Sequence, residues 1–367
     1  MKIKTTSGAL IAVLLALGVA LTACSPATPT TPTIPTVPTT PTQPTQPTQQ
    51  QIKWVMQTHM KPGDPTYATL ERAIDRSNTA TGGRLTITLQ PAGAVAPEGE
   101  EVLATNQGAI DVGGNALSFL EGTAQAFAPW TQVSGGLSAT QFMLWLPYDG
   151  IAQIETLFSK YLPNVQYLAC LPQLGEVFIH SSKPIAAVDD LRALKTRGTG
   201  DGMEILARMG MPTVFLSSGE IYEAMQRGVI DAFESNTFFV DYGRGHHEIA
   251  KYNYTSYSRA PMTEVTLVVH EAKWNALSGE LQQIVVDAFT VEQQMYISES
   301  LMKEGESVQK WIDYGCIVEP LPAAVEAAYN EEARKFYAER RAANAEYDAL
   351  LASMLLFKDN CDSLGIG

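Results

Sequence analysis

The chain has 367 residues, 45% of them hydrophobic, enough to bury the cores of two ordinary domains. Its formal net charge of −14 argues against nucleic acid as a partner, because phosphate binding needs a basic surface. With Cys24 set aside, Cys170, Cys316 and Cys361 allow one disulfide at most, which argues against a disulfide framework.

In chain order, Lys2 and Lys4 precede an apolar run from Gly8 to Ala23, so residues 1–23 read as an export signal, too short for a comfortable membrane span. The run ends in Leu21-Thr22-Ala23-Cys24, which resembles a bacterial lipobox, so Cys24 is the expected lipidation site and first mature residue. Residues 24–51 are mostly Pro, Thr and Gln with no apolar periodicity, and such a segment cannot bury a core. In polyproline II geometry, at roughly 3.1 Å per residue, this tether reaches about 80 Å. A cell-wall spacer or glycosylated stalk would have the same composition.

From residue 52 strands and helices alternate. Lys53–His59 is expected as a strand; Asp64-Pro65 supplies an N-cap and an N1 proline for a helix with Tyr67, Leu70 and Ile74 on one face, stopped by Gly82-Gly83. Leu85, Ile87 and Leu89 alternate in the next strand. The stretch GEEVLATNQGAIDV, residues 99–112, then reads as helix, glycine stop and strand (109–112). The same unit returns at 219–232 as GEIYEAMQRGVIDA, with Gly, Glu, Ala, Gly, Ile and Asp at matching places and Asp111 and Asp231 in matching strands. Before it come a strand at Leu194–Arg197, a helix at Gly202–Met209 closed by Gly210, and a strand at Thr213–Leu216. Two duplicated α/β lobes explain this better than generic convergence, and a ligand cleft then lies at the carboxyl ends of the strands. Residues 280–310 and 323–357 carry long helical patterns able to brace both lobes.

The run ALKTRGTGDGMEILARMGMPTVFLSSGEIYEAMQRGVIDAFES, continued by HEIAKYNYTSYSRAP, resembles the solute-binding subunits of tripartite ATP-independent periplasmic (TRAP) transporters, the DctP family. The similarity covers roughly Trp54 to Leu321 and is strongest from Leu191 to Ala260. It implies an α/β, two-lobed, periplasmic-binding-protein-like fold. Lobe I would comprise 52–172 with about 263–290, lobe II 173–262 with about 310–325, and a C-terminal helical segment 323–367. The nearest branch resembles binders of 2-oxo acids that use a bridging cation, with a Gln-x-Gly-Gly-Trp-Phe pattern and an Asp-Ala-x-Glu-Trp pattern. Here these read Gln173-Leu174-Gly175-Glu176-Val177-Phe178 and Asp231-Ala232-Phe233-Glu234-Ser235, so both tryptophans are replaced.

Arg197 closes a strand before Gly198-Thr199-Gly200 and a helix start, a place where a guanidinium can grip a carboxylate bidentately; it is expected to face the cleft rather than a core. The resemblance adds Gln173, Glu234 and Ser235, the last through its backbone carbonyl, as ligands of a hard cation, sodium or calcium, shared with the bound acid. Glu234 without a metal, as a solvated carboxylate, is the competing reading. Asn236, and Asn115 at the place matching Ser235 in the first repeat, complete the expected substrate-binding set; Phe238, Tyr257 and Arg259 are candidate lining, packing or rim residues. His59, His180, His246, His247 and His270 have no zinc spacing, and no nucleophile elbow, P-loop or dinucleotide fingerprint occurs.

The expected function is capture of an organic acid outside the cytoplasm by a lipid-anchored receptor, with no catalysis, and delivery to a TRAP permease. An anchored metal-assisted hydrolase or lyase, and a ligand-sensing subunit, are the alternatives; a homodimer is left open.

Overall fold

The computed structural model describes residues 51–366. The expected export signal, the expected lipidation site Cys24 and the expected tether up to residue 50 lie outside the described residues. Among those described, no helix is long and apolar enough to cross a membrane, and Cys170, Cys316 and Cys361 are buried free thiols.

Two sheets organise the chain. In lobe I, β1 (Ile52–Thr58), β2 (Leu85–Gln90) and β3 (Val112–Asn115) are parallel, and β10 (Met262–His270) runs antiparallel between β3 and β4 (Val165–Leu174), giving the order β2-β1-β3-β10-β4. In lobe II the order is β11-β9-β5-β8-β6-β7, from β5 (Ile179–Ser181), β6 (Thr196–Arg197), β7 (Thr213–Val214), β8 (Ala232–Phe233), β9 (Tyr252–Thr255) and β11 (Ile317–Pro320). Apolar clusters accompany each sheet: Trp54, Leu70, Val112 and Val285 in one, Phe127, Trp130, Phe158 and Leu350 in another, both in lobe I. In lobe II they are built around Phe178, Ile205 and Phe336, and around Ile221, Phe233 and Trp311.

The sequence repeat is matched bond for bond. Asp111 donates its N–H to the Val55 carbonyl (2.9 Å) and accepts the Val55 N–H on Oδ2 (2.8 Å). Asp231 does the same with Lys195, at 2.7 and 3.1 Å. Each helix ends alike, Ala109 N–H on the Ala104 carbonyl (2.9 Å) and Val229 N–H on the Ala224 carbonyl (2.8 Å), and Ile110 and Ile230 are both buried. Both aspartates stand one residue ahead of their strands, β3 and β8, rather than in them. Their carboxylates bind the neighbouring strand's backbone, which starts the parallel pairing one position later.

The chain passes between lobes at residues 174–179, at 255–262, and through the 36-residue helix Gly279–Tyr314, whose Leu281, Val285 and Phe289 join the lobe I core and whose Trp311 joins that of lobe II. The first two crossings lie against each other, with Glu176 N–H on the Ala260 carbonyl (3.0 Å). Gly175 permits this approach, since a Cβ there would stand 2.3 Å from the Tyr257 ring and 3.1 Å from the Pro261 carbonyl. The helical pattern at 323–357 is two helices, Ala323–Ala343 and Ala345–Ser363. Asn344 breaks it, its Oδ1 accepting the N–H groups of Glu346 and Tyr347 at 3.0 Å each as the cap of a new helix. The first of the pair buries Tyr329 and Phe336 in lobe II, the second Tyr347 and Leu350 in lobe I.

Candidate ligand site between the lobes

The carboxyl ends of β1, β3, β4, β6 and β8 converge where the lobes meet. Four of the six residues expected to bind ligand, Arg197, Gln173, Ser235 and Asn236, line one cavity of about 40 Å³ there. No motif pointed to the rest of its wall, which includes Arg244 and His59. His59, Met60, Ser218 and Arg244 also line an outer pocket of about 210 Å³ whose rim carries Lys61, Asp64 and Glu98.

Arg197 is nearly buried, and half of its guanidinium is committed inward. Nε donates to the Leu216 carbonyl (2.9 Å), and Nη1 donates to the Glu234 carbonyl (2.7 Å) and to Glu234 Oε1 (3.0 Å). Nη2 has no protein acceptor among the described residues. The expectation of a residue merely facing a cleft is therefore corrected: Arg197 also ties β6 to β8, because the strand end that aims it at the cavity packs its inner edge on Glu234. Burial lowers its pKa and Glu234 opposes that shift, and a guanidinium so placed stays charged.

Arg244 is the second cation, placed at the end of the short helix Phe238–Gly243. Nε donates to Asp64 Oδ2 (2.8 Å) across the cleft, and Nη1 donates to Ser235 Oγ (3.2 Å) and Asp241 Oδ1 (3.4 Å). Its Nη2 likewise has no acceptor among the described residues. Burial works against its charge, but Asp64 and Asp241 outweigh it and raise the pKa. Asp64 serves twice, since its Oδ1 also caps the helix Pro65–Ala80 through the Thr66 N–H (2.7 Å). Two guanidiniums thus line one small space, each with a terminal nitrogen that has no acceptor among the described residues.

The lobes are drawn together in this structure. Besides Arg244–Asp64, Gly219 N–H donates to Glu98 Oε1 (3.2 Å), Phe119 meets Phe215 edge to face at 6.0 Å, and Asn236 Nδ2 donates to Gln173 Oε1. His59 lies in the wall between them and is held neutral, its pKa lowered to about 4 by burial. Burial raises that of Glu264, also in the wall, to about 7.

Glu234 and Asn115 do not line the cavity. Asn115 Nδ2 is turned to the Gly99 carbonyl (2.8 Å) and Glu101 Oε2 (3.4 Å), so it holds a loop. Glu234 is buried behind Arg197, not solvated: Oε1 also accepts from Thr199 Oγ1 (3.0 Å) and Oε2 from Arg259 Nη1 (2.8 Å). Phe238 packs on Trp311, Val177 belongs to the lobe II core, and Tyr257 is 66% exposed beside Gly175. As placed, two of the three expected cation ligands are engaged by protein groups, Glu234 by two arginines and a threonine and Gln173 Oε1 by Asn236, while Ser235 turns its hydroxyl to Asp241. Among the described residues no three His, Cys, Asp or Glu side chains gather as a metal cluster. Both Glu234 oxygens already have arginine partners, Arg197 on Oε1 and Arg259 on Oε2.

Residues 56–343 match the model of the family described as bacterial extracellular solute-binding protein, family 7 (DctP). The chain belongs to the DctP family. A monocarboxylate 2-oxoacid-binding periplasmic protein of Nostoc sp. is 31% identical over 66% of this chain. The chain spans just under two thirds of that relative's length, 66%. Among solved structures, a TRAP transporter solute-binding protein of Bordetella bronchiseptica with calcium and picolinate has a TM-score of 0.79 at 23% identity, covering 86% of this chain and 94% of that one. One from Pseudoalteromonas atlantica with sodium and pyruvate has a TM-score of 0.80 at 22% identity, covering 86% and 96%. These likenesses bear out the two-lobed fold, and in those relatives a cation does accompany the carboxylate. The family is one of solute-binding proteins and not of enzymes, which removes the hydrolase or lyase alternative.

Proposed function

We propose that this DctP-family protein is a lipid-anchored receptor outside the cytoplasm that captures a small organic acid between its lobes and delivers it to a TRAP membrane permease. The observation that carries the reading is the pair of inward guanidiniums, Arg197 and Arg244, each with an unshared Nη2 at one cavity. A carboxylate drawn into a closed site loses its water, and two charge-assisted donors of fixed geometry replace it. The relatives' ligands, a 2-oxoacid, picolinate and pyruvate, support a compact acid, and a cavity of about 40 Å³ supports a small one.

Arg244 joins capture to closure. It reaches Asp64 on the other lobe with one nitrogen and faces the cavity with another, so ligand and closed form favour each other, and the permease reads the closed form. Delivery to a permease and anchoring at Cys24 rest on the family and on the lipobox. A micromolar constant corresponds to about −8.2 kcal/mol, within reach of two such donors and cleft closure. Mass spectrometry of any small acid that co-purifies, followed by calorimetry with that acid and its carboxamide, tests the reading. Binding of the acid alone is expected, and equal binding of the amide would remove the carboxylate clamp.

A further inference from the structure

Arg259 lies in the crossing between β9 and β10, and its side chain has no exposed surface. All five of its N–H donors are satisfied. Nε donates to the Phe178 carbonyl (3.1 Å), Nη1 to Gln132 Oε1 (3.0 Å) and Glu234 Oε2 (2.8 Å), and Nη2 to Glu176 Oε2 (2.7 Å) and the Val177 carbonyl (2.9 Å). The acceptors come from lobe I, from the crossing at 174–179 and from the end of β8.

Chemically these five oxygens are what a hard cation gathers: two carboxylates, one side-chain amide and two main-chain carbonyls. Here they surround a guanidinium. Glu176 and Glu234 are both buried, so removal of the positive charge would leave two carboxylates facing each other in a poorly solvated space. Burial raises the pKa of Glu176, and Arg259 pulls against that rise.

We propose that Arg259 is a built-in cation: it fills the charge and ligand requirements that a bound sodium or calcium ion would otherwise meet, so this protein keeps its site assembled without a metal. Its reach is indirect, which makes it a positioning residue. It fixes one oxygen of Glu234, the other oxygen and the carbonyl of Glu234 fix Arg197, and Arg197 lines the cavity. This goes beyond the carboxylate-capture reading, and its test needs no carboxylate.

The ligand-free, full-length processed protein is stripped with EDTA and exchanged into choline chloride; bound metal is then measured by plasma emission and thermal stability is followed while calcium or sodium chloride is added at constant ionic strength. Wild type is expected to hold no stoichiometric metal and to melt at the same temperature throughout. Arg259→Gln empties the cage of its charge but not of its oxygens, so it is expected to gain one calcium per chain and a saturable rise of several degrees that magnesium gives less well. Arg259→Lys restores a charge without the fork and is expected to be less stable than wild type yet indifferent to calcium. A saturable calcium or sodium shift in wild type, with one ion bound, overturns the proposal, and this wild-type measurement decides even if Arg259→Gln does not fold. A folded Arg259→Gln that takes up no calcium also counts against it, because the oxygens would then not form a cation cage.

Discussion

Replacement of Arg197 by lysine separates the two functions of that residue. The side chain offers the ligand only Nη2, while Nε and Nη1 bind the Leu216 carbonyl and Glu234. Lysine keeps one charge but has a single nitrogen, and the nearest acceptors for it are those of Glu234, so the two N–H groups aimed at the ligand are lost. Charge-assisted hydrogen bonds contribute about 1.5–3 kcal/mol each. A lysine nearby still attracts the acid, so a net loss of about 2–3 kcal/mol is expected, roughly a 30- to 150-fold rise in Kd. Loss of the Leu216 contact and of half the Glu234 grip should lower folding stability by about 1–2 kcal/mol, a cost absent if Arg197 merely faced solvent. Calorimetric titration with the co-purified acid, or with pyruvate if none is found, reads the first quantity, and urea denaturation reads the second. Affinity within threefold of wild type in a folded Arg197→Lys protein would refute the clamp.

Asp64→Asn keeps the helix cap but removes the charge that Arg244 meets across the cleft, so the open form should gain population by small-angle scattering and ligand affinity should fall by about 1–2 kcal/mol. An unchanged scattering profile and affinity would show that this pair does not hold the lobes. His59 has a folded-state pKa of about 4 against 6.5 unfolded, so between those values the unfolded chain binds more protons and stability falls as pH falls, by about 3 kcal/mol in all from this group. Wild type minus His59→Gln, compared by urea melts from neutral pH downward, should show that slope; parallel curves would mean the ring is not buried neutral. Cys24→Ser should abolish palmitate labelling and release the protein from membranes, since acyl chains contribute roughly 0.8 kcal/mol per buried CH₂; an unlabelled wild type would remove the anchor.

The repeat was legible because its information is local. A helix stop at Gly108 or Gly228, an inward isoleucine and an aspartate that binds the next strand's backbone all act within one supersecondary unit, so the residue pattern survives in both copies. The break at Asn344 was also local, an asparagine cap, but the apolar spacing runs through it and masks it. What no local pattern carries is which lobe each side of that break serves. That is decided by where the two helices find uncovered cores, Tyr329 and Phe336 in one lobe and Tyr347 and Leu350 in the other.

The site divides the same way. Arg197, Gln173, Ser235 and Asn236 sit at or just past the carboxyl ends of strands, and in α/β lobes those ends face the cleft, so their place follows from the fold alone. Glu234 occupies such a strand end and still turns away, because two arginines outbid the cavity for its oxygens: one from its neighbour β6, the other from the crossing that precedes β10. Arg259 was visible as a candidate in the sequence, but its weight depends on Glu176, which stands at the second glycine position of the Gln-x-Gly-Gly-Trp-Phe pattern, some eighty residues earlier. A carboxylate at that position and an arginine at 259 make sense only as a pair. Arg244 follows the same logic with Asp64, from the opposite lobe. The cations of this site are thus set by partners distant in sequence, and no single motif records either pair.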